Sequence, residues 1–175
     1  MVGSIMKVLF ISDNHGDADI LIKVKKAFEG QVNAMFHCGD SNLSPDDPAL
    51  IGYQVVVGNT DWDPFPRIVN QVVDGERVFV THGHLYQVNH GLLKLKLAAE
   101  ELGASVVAYG HTHQLACQVV DGILLVNPGS ISQPRGEYDY LGGTFATVET
   151  TPTSFIVRYY NRDLVCVGLD KRFKR

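Results

Sequence analysis

A chain of 175 residues, 45% hydrophobic and 19% charged, has the size and mixture of one folded domain and not of a disordered polypeptide. A net charge of −4, with no basic run before Lys171-Arg172-Phe173-Lys174-Arg175, argues against nucleic acid as the primary partner, because phosphate neutralisation calls for a basic surface. Apolar runs of four or five residues are too short for a membrane helix, and Cys38, Cys117 and Cys166 are too dispersed for a zinc finger or disulfide framework, which suits a reducing cytoplasm.

Residues 1–5 precede a second methionine, Met6, and are set aside as an alternative start or an expression remnant; no charged-then-apolar secretory leader is expected. Val8-Leu9-Phe10-Ile11 predicts a first strand that stops at Asp13-Asn14-His15. Ile20, Leu21, Val24 and Phe28 then recur at helical spacing, with lysines elsewhere on the wheel and Gly30 as a stop. A second strand over 34–36 runs through His37 into Gly39-Asp40. Residues 41–51 are polar and hold Pro45 and Pro48, so they read as a loop with at most one helical turn. The third strand, 53–57, ends at Gly58-Asn59.

Asp74-Gly75 between apolar runs predicts a hairpin whose second arm, Val78-Phe79-Val80, leads to His82-Gly83-His84. Leu92, Leu95, Ala99 and Leu102 make one helical stripe closed by Gly103. Val106-Val107-Ala108-Tyr109 runs into Gly110-His111-Thr112-His113. After a second Asp-Gly hairpin at Asp121-Gly122, Ile123-Leu124-Leu125-Val126 runs into Asn127-Pro128-Gly129-Ser130. Residues 144–148, 154–160 and 164–167 read as β, and the basic tail as a solvated terminus. The expected architecture is one domain over 1–175, with two packed, partly parallel sheets flanked by helices.

Six strand ends are thus followed at once by polar, metal-type residues. Ligands in open α/β sheets bind beyond the carboxyl ends of the strands, so six such endings imply one convergent rim. Each motif alone has a bland reading: a lone histidine is usually structural, an aspartate before a helix usually caps it, and Gly-Asn is often a plain turn. The ordered set is what points to a dinuclear metal centre.

The series Asp13-x-His15, Gly39-Asp40, Gly58-Asn59, His82-Gly83 and Gly110-His111-Thr112-His113 resembles the calcineurin-like metallophosphoesterases. Asn127-Pro128-Gly129-Ser130 and the short chain resemble their small bacterial and archaeal phosphodiesterase branch, over roughly residues 6–135. The resemblance implies a four-layer α/β/β/α sandwich of two mixed sheets with the metal site at the strand carboxyl ends. It also implies one ion held by Asp13, His15, Asp40 and His113 and a second held by Asp40, Asn59, His82 and His111, with Asp40 and a hydroxide bridging. Two divalent ions against two carboxylates and a hydroxide leave net positive charge for a phosphate. Imidazole-rich ligation disfavours Mg²⁺ and Ca²⁺; Mn²⁺ is preferred, with Ni²⁺, Fe, Co²⁺ or Zn²⁺ as alternatives.

The implied activity is hydrolysis of a small phosphodiester by direct attack of the bridging hydroxide. The alternatives are a phosphomonoesterase and a catalytically idle scaffold of the same fold. Many relatives carry histidine immediately after the Gly-Asn, where this chain has Thr60, so His84 is the candidate replacement as general acid. Arg135 is a candidate for binding substrate phosphate. Trp62 and Phe65 read as core or subunit contacts, and His37 and His90 as structural. A homo-oligomer built on sheet edges remains an open option.

Overall fold

Side chains of β1 (Met6–Ile11) leave the strand alternately, Val8 and Phe10 into one core and Leu9 and Ile11 into another. That period-two split organises the molecule, seen here in a computed structural model that describes residues 5–175. The set-aside N-terminal segment therefore lies, apart from Ile5, outside the described residues.

β1 pairs in parallel with β2 (Ala34–His37), and β2 with β3 (Tyr53–Val55). On its other side β1 meets β9 (Thr144–Thr150) antiparallel, followed by β10 (Ser154–Asn161) and β11 (Lys171–Lys174). The second sheet has the order β4 (Ile68–Val73), β5 (Glu76–Thr81), β6 (Val106–Ala108), β8 (Ile123–Asn127) and β7 (Ala116–Val120). Within it β5, β6 and β8 are parallel, while the two Asp-Gly hairpins supply the antiparallel flanks β4 and β7. The two central parallel sets carry the predicted polar strand ends.

Val8, Phe10, Phe36, Val78, Val80, Val106, Leu124 and Val148 fill the space between the sheets. α1 (Ala18–Phe28) lays Ile20, Leu21, Val24 and Phe28 against Leu9, Ile11 and Phe145 on the outer face of the first sheet. α2 (Leu93–Leu102) lays Leu95 and Ala99 against Phe79, Val107 and Leu125 on the outer face of the second. The layers are therefore α/β/β/α. Each fully buried side chain of this kind contributes about 1.5–3 kcal/mol. α1 starts where the Asp17 carboxylate accepts from the Ile20 amide at 3.3 Å, and α2 stops at Gly103, in left-handed conformation.

Two sequence expectations fail at the C-terminal end. Residues 164–167 are not a strand: Asn161 Oδ1 accepts from the amides of Asp163 and Val165, Leu164 turns left-handed, and only Cys166 bridges back to Tyr160. The tail taken as solvated instead forms the edge strand β11. Phe173 stands opposite Phe155 and packs on the inter-sheet core, which the flanking charges had masked. Next to it Arg175 donates to the Glu76 carboxylate of the second sheet and to the Thr151 carbonyl of the first, its guanidinium 4.8 Å from the Phe155 ring centroid. The third strand is also shorter than the predicted 53–57, although Val56 remains buried.

Candidate metal centre

The loops leaving β1, β2, β3, β5, β6 and β8 meet at one rim and are stitched to one another through their backbones. Asp13 N–H donates to the Gly39 carbonyl at 3.0 Å, His15 N–H to Asp40 at 3.1 Å, and Gly110 N–H to His82 at 3.0 Å. Close approach explains the glycine before several candidate ligands. A Cβ on Gly58 would lie 2.0 Å from Asp40 Oδ1, and one on Gly110 would lie 2.2 Å from Ser12 Oγ. Asp13, His15, Asp40, His111 and His113 all adopt positive φ, between 44° and 69°. Such conformations cost about 1–3 kcal/mol each and persist where surrounding structure enforces them.

The rim gathers all seven sequence-predicted ligand residues into two adjoining bays. In the first, His113 Nε2 stands 3.2 Å and His15 Nε2 3.8 Å from Asp13 Oδ1. In the second, His82 Nε2 is 3.2 Å from Asp40 Oδ2, while Asn59 Oδ1 lies 3.1 Å from His82 Nε2 and 3.0 Å from His111 Nδ1. The carboxylates sit between the bays: Asp40 Oδ2 also reaches to 3.9 Å from His15 Nε2, and Asp13 Oδ1 to 3.9 Å from His82 Nε2. Asp13 and Asp40 thus both face the two bays.

The donor atoms fit a cation on electrostatic grounds. His113 Nδ1 donates to the Gln133 carbonyl at 2.8 Å and His82 Nδ1 to the Cys38 carbonyl at 2.7 Å. His15 Nδ1 bonds to Asn42 Oδ1 at 2.9 Å, and the Asn42 amide is oriented by donation to Thr60 O and Oγ1. With Nδ1 so engaged, Nε2 is the atom each ring can offer to a cation as a lone pair. Yet His15 Nε2 and His113 Nε2 face one another at 3.3 Å, and His82 Nε2 faces two oxygens. Asp13 Oδ1 is buried with no hydrogen-bond partner. Lone pairs converging on a buried, unsatisfied carboxylate oxygen repel unless positive charge lies among them. Donor separations near 3 Å suit an ion that such groups would hold at about 2.0–2.2 Å.

Charge within the rim is polarised accordingly. Burial works against ionising Asp13, but the adjacent His113 and His82 imidazoles outweigh it and hold the carboxyl below its usual range. Asp40 is held low in the same way, burial being overcome mainly by His82. His82 is pushed up, burial being outweighed by Asp40 and Asp13; for His113 the adjacent Asp13 carboxylate leads. His111 and His84 are pushed down by burial and by neighbouring imidazoles.

A cleft of about 290 Å³ opens above the bays, walled by His15, Asp40, Asn59, Thr60, His111, His113, Gln133 and Arg135. Arg135 is placed there because its own N–H donates to the His113 carbonyl at 2.9 Å. His84 lies beside the second bay, its ring centroid 5.3 Å from that of His82 and 6.1 Å from that of His111. Of the two expectations for Trp62, core or subunit contact, its 99% exposure removes the first, whereas Phe65 packs on the α1 side. His37 is fully buried, donates to Asn14 Oδ1 at 2.7 Å and accepts from Gly39 N–H; burial pushes its pKa down to about 4, so it stays neutral.

Sequence reasoning gave Asp61 no role. Its carboxylate accepts from Gly58 N–H at 2.7 Å, Asp40 N–H at 2.9 Å and Asn42 N–H at 2.9 Å, tying the β2 and β3 loops together. The visible signal was an acid two residues after Gly58-Asn59. Ser130, whose hydroxyl donates to the Asp13 carbonyl at 2.8 Å, was similarly visible only as part of a turn.

Residues 6–153 match the calcineurin-like phosphoesterase superfamily domain, and the chain belongs to that family. It is a metal-dependent phosphoesterase. It is 44% identical to the probable metallophosphoesterase YsnB of Bacillus subtilis, over 74% of this chain and 78% of that one. It is 28% identical to the phosphodiesterase YfcE of Escherichia coli K12, over 75% and 82% of the respective chains. The crystal structure of a predicted phosphoesterase from Streptococcus pneumoniae superposes with a TM-score of 0.93 at 37% identity, covering 98% of this chain and 99% of that one. Vacuolar Protein Sorting 29 from Cryptosporidium parvum shares the fold, with a TM-score of 0.74 at 18% identity over 98% and 99% of the two chains.

Proposed function

We propose that this phosphoesterase is a single-domain, dinuclear phosphodiesterase acting on a small substrate in the cytoplasm, with Mn²⁺ as the preferred ion. The observation that carries the reading is the pair of adjoining bays with Asp13 and Asp40 between them and imidazole nitrogens facing inward. Asp13, His15, Asp40 and His113 would hold one ion, and Asp40, Asn59, His82 and His111 the other. When bound, two such ions supply Lewis-acid charge and a hydroxide at neutral pH for in-line displacement at phosphorus. A nitrogen-rich donor set supports Mn²⁺, Ni²⁺, Fe, Co²⁺ or Zn²⁺ over Mg²⁺ and Ca²⁺.

The chain's own groups do the rest. Arg135, on the cleft wall, receives the substrate's non-bridging phosphate oxygens and orients the leaving group along the cleft. Asn59 presents its amide oxygen between His82 and His111 and fixes the second bay's position against that phosphate. His84, beside that bay, is the donor for the leaving oxygen in place of the residue that Thr60 does not supply. The three cysteines are free, which agrees with a reducing compartment.

The test is hydrolysis of bis(p-nitrophenyl) phosphate and p-nitrophenyl phosphate by chelated protein, with each divalent ion added back. Expected are faster turnover of the diester, a requirement for about two ions per chain, and loss of both in Asp40→Asn. Faster turnover of the monoester, or full activity with one ion, overturns the reading. His84→Gln that turns over a poor-leaving-group diester at the normal rate removes the acid role.

A further inference from the structure

The edges of the two sheets are not equally guarded. β11 ends one side of the first sheet with Lys171, Arg172 and Lys174, and β3 ends the other side with three residues only. Charge and brevity of that kind keep an edge from pairing with another chain. β4, by contrast, closes one side of the second sheet with Ile68-Val69-Asn70-Gln71-Val72-Val73, six residues without a charge, a proline or a bulge. Val69 and Val73 turn into the inter-sheet core. Ile68, Asn70 and Val72 stand on the outer face, which α2 covers over β5, β6 and β8 but not here, so Ile68 is 38% and Val72 51% exposed.

The Asp74-Gly75 turn determines which backbone groups of β4 point outward. Both turn residues are left-handed and Val73 opposes Glu76, so that pair closes a two-residue hairpin and exchanges its hydrogen bonds. Alternation then turns the amides and carbonyls of Val73, Gln71 and Val69 towards β5. Those of Ile68, Asn70 and Val72 face away from the sheet.

A second copy of the same strand is the matched occupant. Laid antiparallel about a two-fold axis at Asn70, it sets Ile68 opposite the partner's Val72, and Asn70 opposite the partner's Asn70. Every outward amide and carbonyl is then used, two bonds at each opposed pair. The exposed Ile68 and Val72 side chains cover one another as cross-strand pairs. Arg67, just before the strand, comes beside the partner's Asp74, just after it, once on each side of the axis. β7, a second uncharged edge, lacks this match. Val120 opposes Ile123 across its own turn, so its outward groups belong to Cys117 and Val119, and a two-fold at Gln118 sets Asp121 against the partner's Leu115.

We propose that this chain forms a two-fold dimer in solution by pairing β4 with the β4 of a second copy, joining the two second sheets into one. The partner's Asp74-Gly75 turn then lies against the loop that leads into β4, which carries Thr60 of the metal cleft and the exposed Trp62. Trp62 is the chain's one tryptophan, so its emission reports on that contact. The dimer stands independently of the phosphoesterase reading.

The test is sedimentation equilibrium of the full chain over about 1–100 μM, with tryptophan emission followed over the same range. Expected are a mass of two chains at the upper end and emission that moves to shorter wavelength as the dimer forms. Val72→Lys, at an exposed position, should raise the dissociation constant about 30-fold, because two cross-strand pairs are lost at once, and leave the circular dichroism spectrum unchanged. Gln118→Lys, the matching change on β7, should leave the dimer intact. Asn70→Cys, combined with Cys166→Ser to remove an exposed thiol, should be cross-linked by a short bismaleimide, since only this register sets residue 70 against itself. A monomer at every concentration overturns the proposal. So does a dimer that Val72→Lys leaves intact, that Gln118→Lys dissociates, or that Asn70→Cys fails to cross-link.

Discussion

The inter-sheet core and the metal rim are made from the same strands and obey opposite rules. In the core, Phe10, Phe36, Val80 and Val126 sit in extended strands, fully buried and apolar. A few residues further along those strands, the rim holds buried carboxylates, an unpartnered oxygen, facing lone pairs and left-handed aspartates and histidines. The core provides the stability that lets the rim remain strained. Stability and chemistry are therefore separable along a single strand, and substitutions a few residues apart should separate them.

Asp40→Asn should give the largest effect, a loss of about 10³-fold or more in kcat/KM as shared charge leaves both bays, with a smaller loss of stability than a core deletion causes. Phe10→Ala should do the reverse. It should cost about 3–5 kcal/mol in denaturant unfolding while the folded fraction keeps its metal affinity. Asp61→Asn tests whether the rim is held by its own scaffold. Losing a carboxylate that anchors three backbone amides should weaken metal binding about 10–100-fold by titration calorimetry, without a core-sized loss of stability.

The smallest effect concerns pH. In chelated protein Asp13 and Asp40 titrate low, so their contribution is present above the unfolded value of about 3.9 and is lost as pH falls through the folded values. His82 and His113 titrate high, so theirs is complete below about 6.5 and is lost as pH rises through the folded values. The melting temperature of chelated protein should therefore peak between these limits and drop by a few degrees on the alkaline side. Bound metal replaces the imidazole protons and should abolish that alkaline drop. An alkaline drop of equal size with metal bound would show that the histidines are not ligands.

The strand-to-ligand pattern was legible because both halves of it are local. Alternation marks a strand, and an aspartate or histidine just beyond a glycine marks where backbone must pack close beneath a carboxylate. The β11 edge was not legible, since Phe173 is one apolar residue among lysines and arginines and needs Phe155 opposite to give it meaning. Residues 164–167 misled for the converse reason: Leu164 and Val167 do pack on the two cores, but from a turn closed by Asn161, and Val165 between them is left 56% exposed. Trp62 and Asp61 sit within one short loop, yet which of them faces the rim depends on Asn42 and Asp40, contributed by another loop.

Asp13, His15, Asp40 and Asn59 hang from one sheet, and His82, His111 and His113 from the other, so the ions would be gripped as between the tips of tweezers. Arg175, joining Glu76 to Thr151 at the opposite end of the sheets, occupies the pivot. Each ion would draw ligands from both sheets, so binding metal would clasp the sandwich at one end as Arg175 does at the other.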